Sequence, residues 1–307
     1  MASAEIPLRH SLTAPHTEAM SNERDTGRSA DGNAILVNPA YSDLLNQLNL
    51  DTIAAFRQLK GESVRAIDSR ETVRLVLPAF ACGRGTPSPE IAVYLKRYGK
   101  PTWRERVVPW LRFSRPIVGA RAEWEALTHF HKLRLPTMEP IAFGEDADGS
   151  FVMTRELVAK CDLKQWVAQV SASEATEKGR LNGHRNQLRL FAVELADIVR
   201  RMHAAGLHHQ DLYLNHVLWC GERADGGPDL RIIDLGRVRR QAKLSRRWIL
   251  KDLSQLNYSA AGVSCTDRLR FLRAYLGRKL NRSDRRWIGL IRWKSARIAA
   301  HSQKHRL

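Results

Sequence analysis

Apolar and polar positions alternate in Val64-Arg65-Ala66-Ile67 and again in Thr72-Val73-Arg74-Leu75-Val76-Leu77, around the polar turn Asp68-Ser69-Arg70-Glu71. This pattern predicts a β-hairpin, preceded by a short helix near residues 41–59. A Gly/Pro/Ser-rich loop at 82–89 leads into a third strand, Ile91-Ala92-Val93-Tyr94-Leu95-Lys96. The period then lengthens: Ala122, Ala126, Leu127, Phe130 and Leu133 recur at helical spacing, and Pro136 ends that helix. Two more strands, 141–144 and 150–154, flank the acidic turn Glu145-Asp146-Ala147-Asp148-Gly149. One helix on a mostly antiparallel sheet results. Beyond Cys161 the pattern turns helical, and Leu188, Phe191, Leu195, Ile198 and Met202 mark one face of a helix over about 186–205 with Gly206 as its stop. Short strand-like pieces flank Asp211 and Asp234, and amphipathic helices run from Arg246 to the end. The chain therefore reads as a bilobal α+β protein, with a sheet-plus-helix N-lobe at 36–156 and a mainly helical C-lobe at 157–307. Residues 1–35, polar and mixed in charge, read as a disordered tail.

Composition narrows the classes. A length of 307 residues with 43% hydrophobic content can bury a substantial core. The four cysteines, at 82, 161, 220 and 265, have no C-x-x-C spacing, which argues against a disulfide framework or zinc site and fits a reducing cytoplasm. No uninterrupted apolar run is long enough for a signal peptide or membrane span. The formal charge of +18 implies an acidic partner: nucleic acid, anionic lipid or a phosphorylated substrate. From Arg268 to Leu307, thirteen Lys or Arg stand against the single acid Asp284, a local charge of +12. No nucleic-acid motif accompanies this charge, so no nucleic-acid partner is expected.

Two carboxylates carry the candidate chemistry. Asp211 ends His209-Gln210-Asp211, and Asp234 follows the apolar run Ile232-Ile233 and precedes Leu235-Gly236. Protein kinases use H-R-D and D-F-G in this order, the first Asp orienting the hydroxyl nucleophile and the second holding magnesium on the phosphates. His216 stands five residues after Asp211, where those kinases carry a metal-binding Asn, and a neutral imidazole suits that role. Upstream, Val93-Tyr94-Leu95-Lys96 has the form of the strand whose lysine grips nucleotide phosphates. Glu123 is the best-placed acid to hold that lysine, with Glu125 as fallback. Taken singly, each is an ordinary surface charge or turn; their order along the chain carries the weight.

The sequence resembles the lipopolysaccharide core heptose kinases of Gram-negative bacteria, the WaaP/RfaP type, over roughly 62–276. The resemblance rests on Arg70-Glu71-Thr72-Val73-Arg74, Tyr94-Leu95-Lys96-Arg97-Tyr98, Gly119-Ala120-Arg121-Ala122-Glu123-Trp124 and His209-Gln210-Asp211-Leu212-Tyr213-Leu214-Asn215-His216. Trp248, Lys251-Asp252-Leu253 and the stretch Thr266 to Leu276 complete it. It implies a protein-kinase-like fold, ATP and Mg2+ as cofactors, and a lipopolysaccharide core or lipid-linked oligosaccharide acceptor. Asp211 is then catalytic, Lys96, Glu123, Arg70 and Thr72 serve the nucleotide, and Asp234 and His216 hold the metal. An R-x-T-like turn replaces the glycine-rich loop in this family, so Gly83-Arg84-Gly85 reads as incidental. Asp252 is expected to anchor the catalytic loop from a neighbouring helix. The family usually carries Arg where Gln210 stands and often a basic residue or His where Gly236 stands. Since the arginine of H-R-D typically meets a phosphorylated activation loop, Gln210 implies a site assembled without such a switch. The basic C-terminal segment, with Phe271, Tyr275, Trp287 and Trp293, fits attachment to the anionic inner face of the inner membrane, on the cytoplasmic side. Kdo, a small molecule or a protein remain alternative acceptors.

Overall fold

A computed structural model describes residues 34–67, 69–78, 90–100, 119–174 and 181–304. Six strands form one sheet in the order β1-β5-β6-β4-β3-β2 with every pairing antiparallel. They are β1 (Ala34–Val37), β2 (Glu62–Ile67), β3 (Arg70–Leu77), β4 (Ile91–Gly99), β5 (Pro140–Asp146) and β6 (Gly149–Arg155). The first strand was not foreseen: Ala34 and Ile35 pair with Glu145 and Gly144 at the edge of β5, inside the stretch expected to be a tail. The remainder of that tail, 1–33, and Gly83-Arg84-Gly85 lie outside the described residues. The hairpin turn is shorter than expected, because Arg70 and Glu71 already pair with Ile67 and Ala66.

The single helix expected at 41–59 is two, α1 (Ser42–Gln47) and α2 (Ile53–Gln58). Asn49 takes a left-handed conformation (φ 52°) that stops the first, and the Thr52 hydroxyl accepts from the Ala55 N–H at 3.2 Å to start the second. Both present apolar side chains to one face of the sheet, where Leu44, Leu45 and Phe56 meet Val93, Leu95, Phe151 and Met153. The rings of Phe56 and Phe151 stack at 4.2 Å. Because a strand's side chains alternate, burying Val93 and Leu95 on this face turns Tyr94, Lys96 and Tyr98 to the other. That other face receives α3 (Arg121–Lys132), which buries Trp124, Ala126, Leu127 and Phe130.

The rest is largely helical: α4 (Leu163–Glu174), α5 (Leu181–Ala204), α6 (Arg246–Ser259), α7 (Cys265–Leu276) and α8 (Asp284–Lys304). Short ladders interrupt it, β10-β9-β7 and β11-β8, from β7 (Cys161–Asp162), β8 (Leu207–His208), β9 (Val217–Glu222), β10 (Pro228–Ile232) and β11 (Arg239–Arg240). Helix α5 begins at 181, earlier than its apolar stripe indicated, and ends at Ala204, with Gly206 (φ 78°) turning the chain away just beyond it. The predicted stripe is its buried face, with Ile198 and Met202 fully enclosed. One apolar core runs from Trp124 and Phe130 on α3 through Leu212 and Leu235 to Leu195 and Leu253, so the helix carrying Glu123 is packed against the segment that follows Asp234. Within the helical lobe lies an apolar cavity of about 570 Å³, lined by Trp166, Phe191, Leu195, Leu256 and Phe271 among others. Phe271 and Tyr275 pack inward, contrary to the interfacial role expected of them, whereas Trp293 is 55% exposed. Among the described residues no helix is long and apolar enough to cross a membrane.

Candidate active site

Alternation on β4 delivers Lys96 to α3, where its ammonium meets the Glu123 carboxylate at 2.6 Å. Glu123 is 1% exposed and also accepts from the Tyr98 hydroxyl at 3.3 Å. Glu125, two positions on, is exposed on the far side of the helix and takes no part. Burial by itself would lower the Lys96 pKa, but the carboxylates of Glu123 and Asp234 outweigh it and hold the ammonium above its ordinary range. Asp234 stands 3.6 Å from Lys96 on the other side. On the neighbouring strand β3, Thr72 lies opposite Lys96 and Arg70 opposite Tyr98, with the Arg70 guanidinium 5.9 Å from that ring's centre. Both belong to the strand itself, so the expected R-x-T turn is regular β-structure.

The loop that carries Asp211 is held by one helix. Asp252 on α6 is fully buried, and its carboxylate accepts from the backbone N–H groups of His209 at 2.8 Å and Gln210 at 2.9 Å. One helical turn on, the Gln255 amide accepts from the Leu212 N–H at 3.1 Å and donates to the Gln210 carbonyl at 2.8 Å. A further turn on, the Ser259 hydroxyl accepts from the Leu214 N–H at 2.9 Å. Positions i, i+3 and i+7 lie on one face of a helix, so α6 presents a polar stripe to an irregular backbone that has no ladder to satisfy it. A relay backs this stripe: His203 on α5 contacts Asp252 through Nε2 at 3.2 Å and the Tyr275 hydroxyl through Nδ1 at 2.9 Å. Burial, chiefly, and the Asp252 charge push the Tyr275 hydroxyl up to about 12, so it keeps its proton to donate to His203. Burial opposes ionisation of Asp252, but hydrogen bonds from His203 and His209 prevail and leave its pKa lowered.

Backbone carbonyls fix the tautomers of two histidines. A carbonyl oxygen only accepts, so His209, 3.1 Å from the Ile233 oxygen through Nε2, carries its proton there, and its Nδ1 accepts from the Asp211 N–H at 3.3 Å. Complete burial lowers the His209 pKa and keeps it neutral. His216 is the converse: Nδ1 donates to the Asp211 carbonyl at 2.8 Å, which leaves the lone pair on Nε2 facing Asp234 at 3.9 Å. Asp234 is in the left-handed region (φ 59°), uncommon for non-glycine residues though aspartate and asparagine tolerate it better than most. Burial would raise its pKa, but the neighbouring positive charge, Lys96 foremost, prevails and lowers it, so the carboxylate is charged. The Asp211 carboxylate lies 3.4 Å from the Arg237 guanidinium. Gln210 is also left-handed (φ 69°) and donates its side-chain amide to the Arg237 carbonyl at 2.9 Å.

The structure thus brings Lys96, Glu123, Asp234 and His216 into one chain of contacts, and ties Asp211 to His216 through its carbonyl. Among the described residues no group of three His, Cys, Asp or Glu could hold a metal unaided. Asp234 and His216 Nε2 nevertheless form a two-donor set that suits a divalent cation drawing its remaining ligands from phosphates and water. His203, Tyr275, Gln255 and Ser259 were not anticipated. The only sequence signal for the last two was polar residues where an amphipathic α6 would be expected to place apolar ones.

A strand lysine held by a helix glutamate, opposite an H-x-D loop and a D-x-G aspartate, between a sheet lobe and a helical lobe, defines a protein-kinase-like phosphotransferase. Residues 55–275 match the Lipopolysaccharide kinase (Kdo/WaaP) family, and the chain belongs to it. It is 30% identical over 267 residues to the lipopolysaccharide core heptose(I) kinase WaaP of Pseudomonas aeruginosa, covering 83% of this chain and 92% of that protein. It is 28% identical over 266 residues to the protein of the same name from Escherichia coli K12, covering 83% and 93%. A solved structure of WaaP in complex with acyl carrier protein superposes with a TM-score of 0.63 at 27% identity, covering 87% of this chain and 98% of that one. A kinase of this family uses ATP, and kinases work with a divalent metal.

Proposed function

We propose that this protein transfers the γ-phosphoryl group of ATP to a heptose hydroxyl of the lipopolysaccharide inner core. The observation that carries the reading is the Lys96–Glu123 pair at 2.6 Å facing Asp234, in a chain that covers over nine-tenths of two heptose(I) kinases. Residues 36–156 grip the nucleotide and 157–307 supply the catalytic loop and the acceptor site. Lys96 binds the phosphates, and Arg70 and Thr72 approach them from β3. Asp234 and His216 would hold Mg2+, which when bound neutralises charge on the transferring phosphates. Asp211 accepts the proton of the attacking hydroxyl as that oxygen bonds to phosphorus and ADP leaves. Positioning and electrostatics supply most of such a barrier reduction.

The test is ATP consumption by purified protein on heptose-containing core acceptor. Asp211→Asn is expected to lower kcat by about 100-fold or more, and near-wild-type turnover by that variant would sink the assignment. Failure of wild type on the core acceptor, with turnover on Kdo, a small molecule or a protein, would move the reading to that acceptor.

We further propose that the protein attaches to the cytoplasmic face of the inner membrane through its C-terminal helices, where Trp293 is exposed with the Arg297 guanidinium 4.9 Å from its ring. Sedimentation with anionic vesicles, weakened by salt and absent with zwitterionic ones, is expected; equal binding to both refutes it.

A further inference from the structure

Beside the catalytic loop stands a group of cations that the phosphotransfer chemistry does not use. Arg247 and Lys251 lie one turn apart on α6, both against the indole of Trp248, at 5.2 and 5.5 Å from its ring centre. That indole is stacked on His208 at 4.5 Å, and His208, its pKa drawn down to about 4 chiefly by burial, adds no charge. Helix α8 brings Lys294 to the same place. The neighbouring Ser295 holds that stretch of α8 to α6: its hydroxyl accepts from the Asn257 amide at 2.9 Å and shares its proton between the Ser254 carbonyl at 2.9 Å and the Ile291 carbonyl at 2.8 Å. Lys251 and Lys294 are half-buried, and no carboxylate forms an ion pair with either among the described residues.

Two observations tie this group to the active site. Lys251 immediately precedes Asp252 and lies one turn before Gln255, the residues that hold the backbone from His209 to Leu212. Electrostatically Lys251 feels Asp252 and Asp211 as well as Arg237 and Lys294, while Lys294 feels Arg247, Asp252 and Arg297. Both lysines have lowered pKa values, chiefly from burial, with the like charges adding to it and the nearby acids opposing it without reversing it. Gathering half-buried cations without partners is unfavourable for folding. A bound anion removes that cost.

We propose that Lys251 and Lys294, with Arg247 at the rim and Trp248 as the wall, form a subsite for an anionic group of the acceptor, a carboxylate or a phosphate near the hydroxyl that Asp211 activates. This rests on the acceptor being a core sugar and deepens that reading. The subsite orients an anionic saccharide so that one hydroxyl reaches Asp211, and it selects against neutral sugars.

The experiment uses full-length protein, Lys251→Gln, Lys294→Gln, the double variant and Lys251→Arg. Acceptor and ATP KM are measured on intact core oligosaccharide, on the same oligosaccharide stripped of phosphate, and on one with its carboxylates converted to amides. Calorimetric binding of each oligosaccharide without ATP runs alongside. The Gln variants are expected to raise the acceptor KM and weaken binding by about 10- to 100-fold, with the ATP KM retained and Lys251→Arg partly restored. One of the two neutralised oligosaccharides should impose the same loss on wild type and little further loss on the Gln variants, and which one does so identifies the group. Melting temperatures of the Gln variants should hold or rise; a fall accompanied by equal losses for both substrates would mean a structural role and overturn the subsite. Losses from variant and neutralised oligosaccharide that simply multiply, or an unchanged acceptor KM, would also overturn it. Wild type that binds the intact oligosaccharide through these lysines yet does not phosphorylate it would overturn the proposed reaction and leave the subsite standing.

Discussion

Replacing Asp252 with alanine tests the support beneath the loop that carries Asp211. The carboxylate is fully buried and takes three hydrogen bonds, from the His209 N–H, the Gln210 N–H and His203 Nε2. Each bond to a charged acceptor contributes about 1.5–3 kcal/mol, but the three share one acceptor and do not add. Removing one member of a buried charged network costs about 3–5 kcal/mol, here because two backbone N–H groups and an imidazole are left without partners. Against a total stability of about 5–15 kcal/mol, that is a large fraction. At about 2–4 °C per kcal/mol for domains of this size, the melting temperature should fall on the order of 10 °C, with kcat falling as the loop around Asp211 loses its register. Asp252→Asn keeps one acceptor and turns an N–H toward the loop's own donors, so it should lie between the two. The pH dependence has a definite sign. Hydrogen bonds from His203 and His209 lower the folded pKa despite burial, so the stabilisation is complete above the unfolded value near 3.9 and is lost as pH falls through the folded one. The gap between wild type and Asp252→Ala should therefore stay constant above about pH 5 and narrow only in stronger acid. Thermal scans and denaturant titrations across pH check this. An alanine variant that melts within about 2 °C of wild type and keeps its turnover would refute the reasoning.

Two further outcomes follow from the nucleotide side and the loop. Glu123→Gln removes the carboxylate that holds up the Lys96 pKa and leaves the burial that lowers it, so the alkaline limb of the pH–rate profile should shift to lower pH and the ATP KM should rise; superimposable profiles would contradict it. Gln210 reaches the Arg237 carbonyl through a neutral amide, so phosphatase-treated protein should keep full activity, and Gln210→Arg, which sets a second cation beside Arg237, should lose several-fold. Inactivation by phosphatase would show that a phosphorylated residue assembles the site after all.

How much of this was legible depended on whether a signal was local. Alternation in β3 and β4 and the 3.6 period of α3 and α5 are local consequences of one buried face each, and the strands and helices lie where those patterns put them, give or take a few residues at the ends. Lys96 and Glu123 could be paired in advance because strand alternation and helix phase each allow few candidates. Breaks were harder. The split between α1 and α2 turns on Asn49 adopting a left-handed conformation and Thr52 capping, and both residues also occur inside helices. Strand β1 was invisible because four apolar residues at the edge of β5 carry no period of their own. Tyr275 and Phe271 were assigned to a membrane surface on their company of basic residues, whereas α7 turns that face inward against α5.

The stripe on α6 shows what a linear reading misses and why. Asp252, Gln255 and Ser259 occupy positions that an amphipathic helix would ordinarily give to apolar residues, so by pattern alone they look like breaks in its buried face. Their role appears only once the partner is known to be the stretch from His209 to Leu214, whose N–H groups find no strand or helix to bond to. A catalytic aspartate has to leave regular structure for its carboxylate to reach substrate, and the backbone that carries it then exposes donors that must be satisfied in a water-poor interior. The irregularity that aims Asp211 is thus what demands the polar face of α6, and Lys251, the residue just before Asp252 on that helix, is carried to the side of the same loop by that packing.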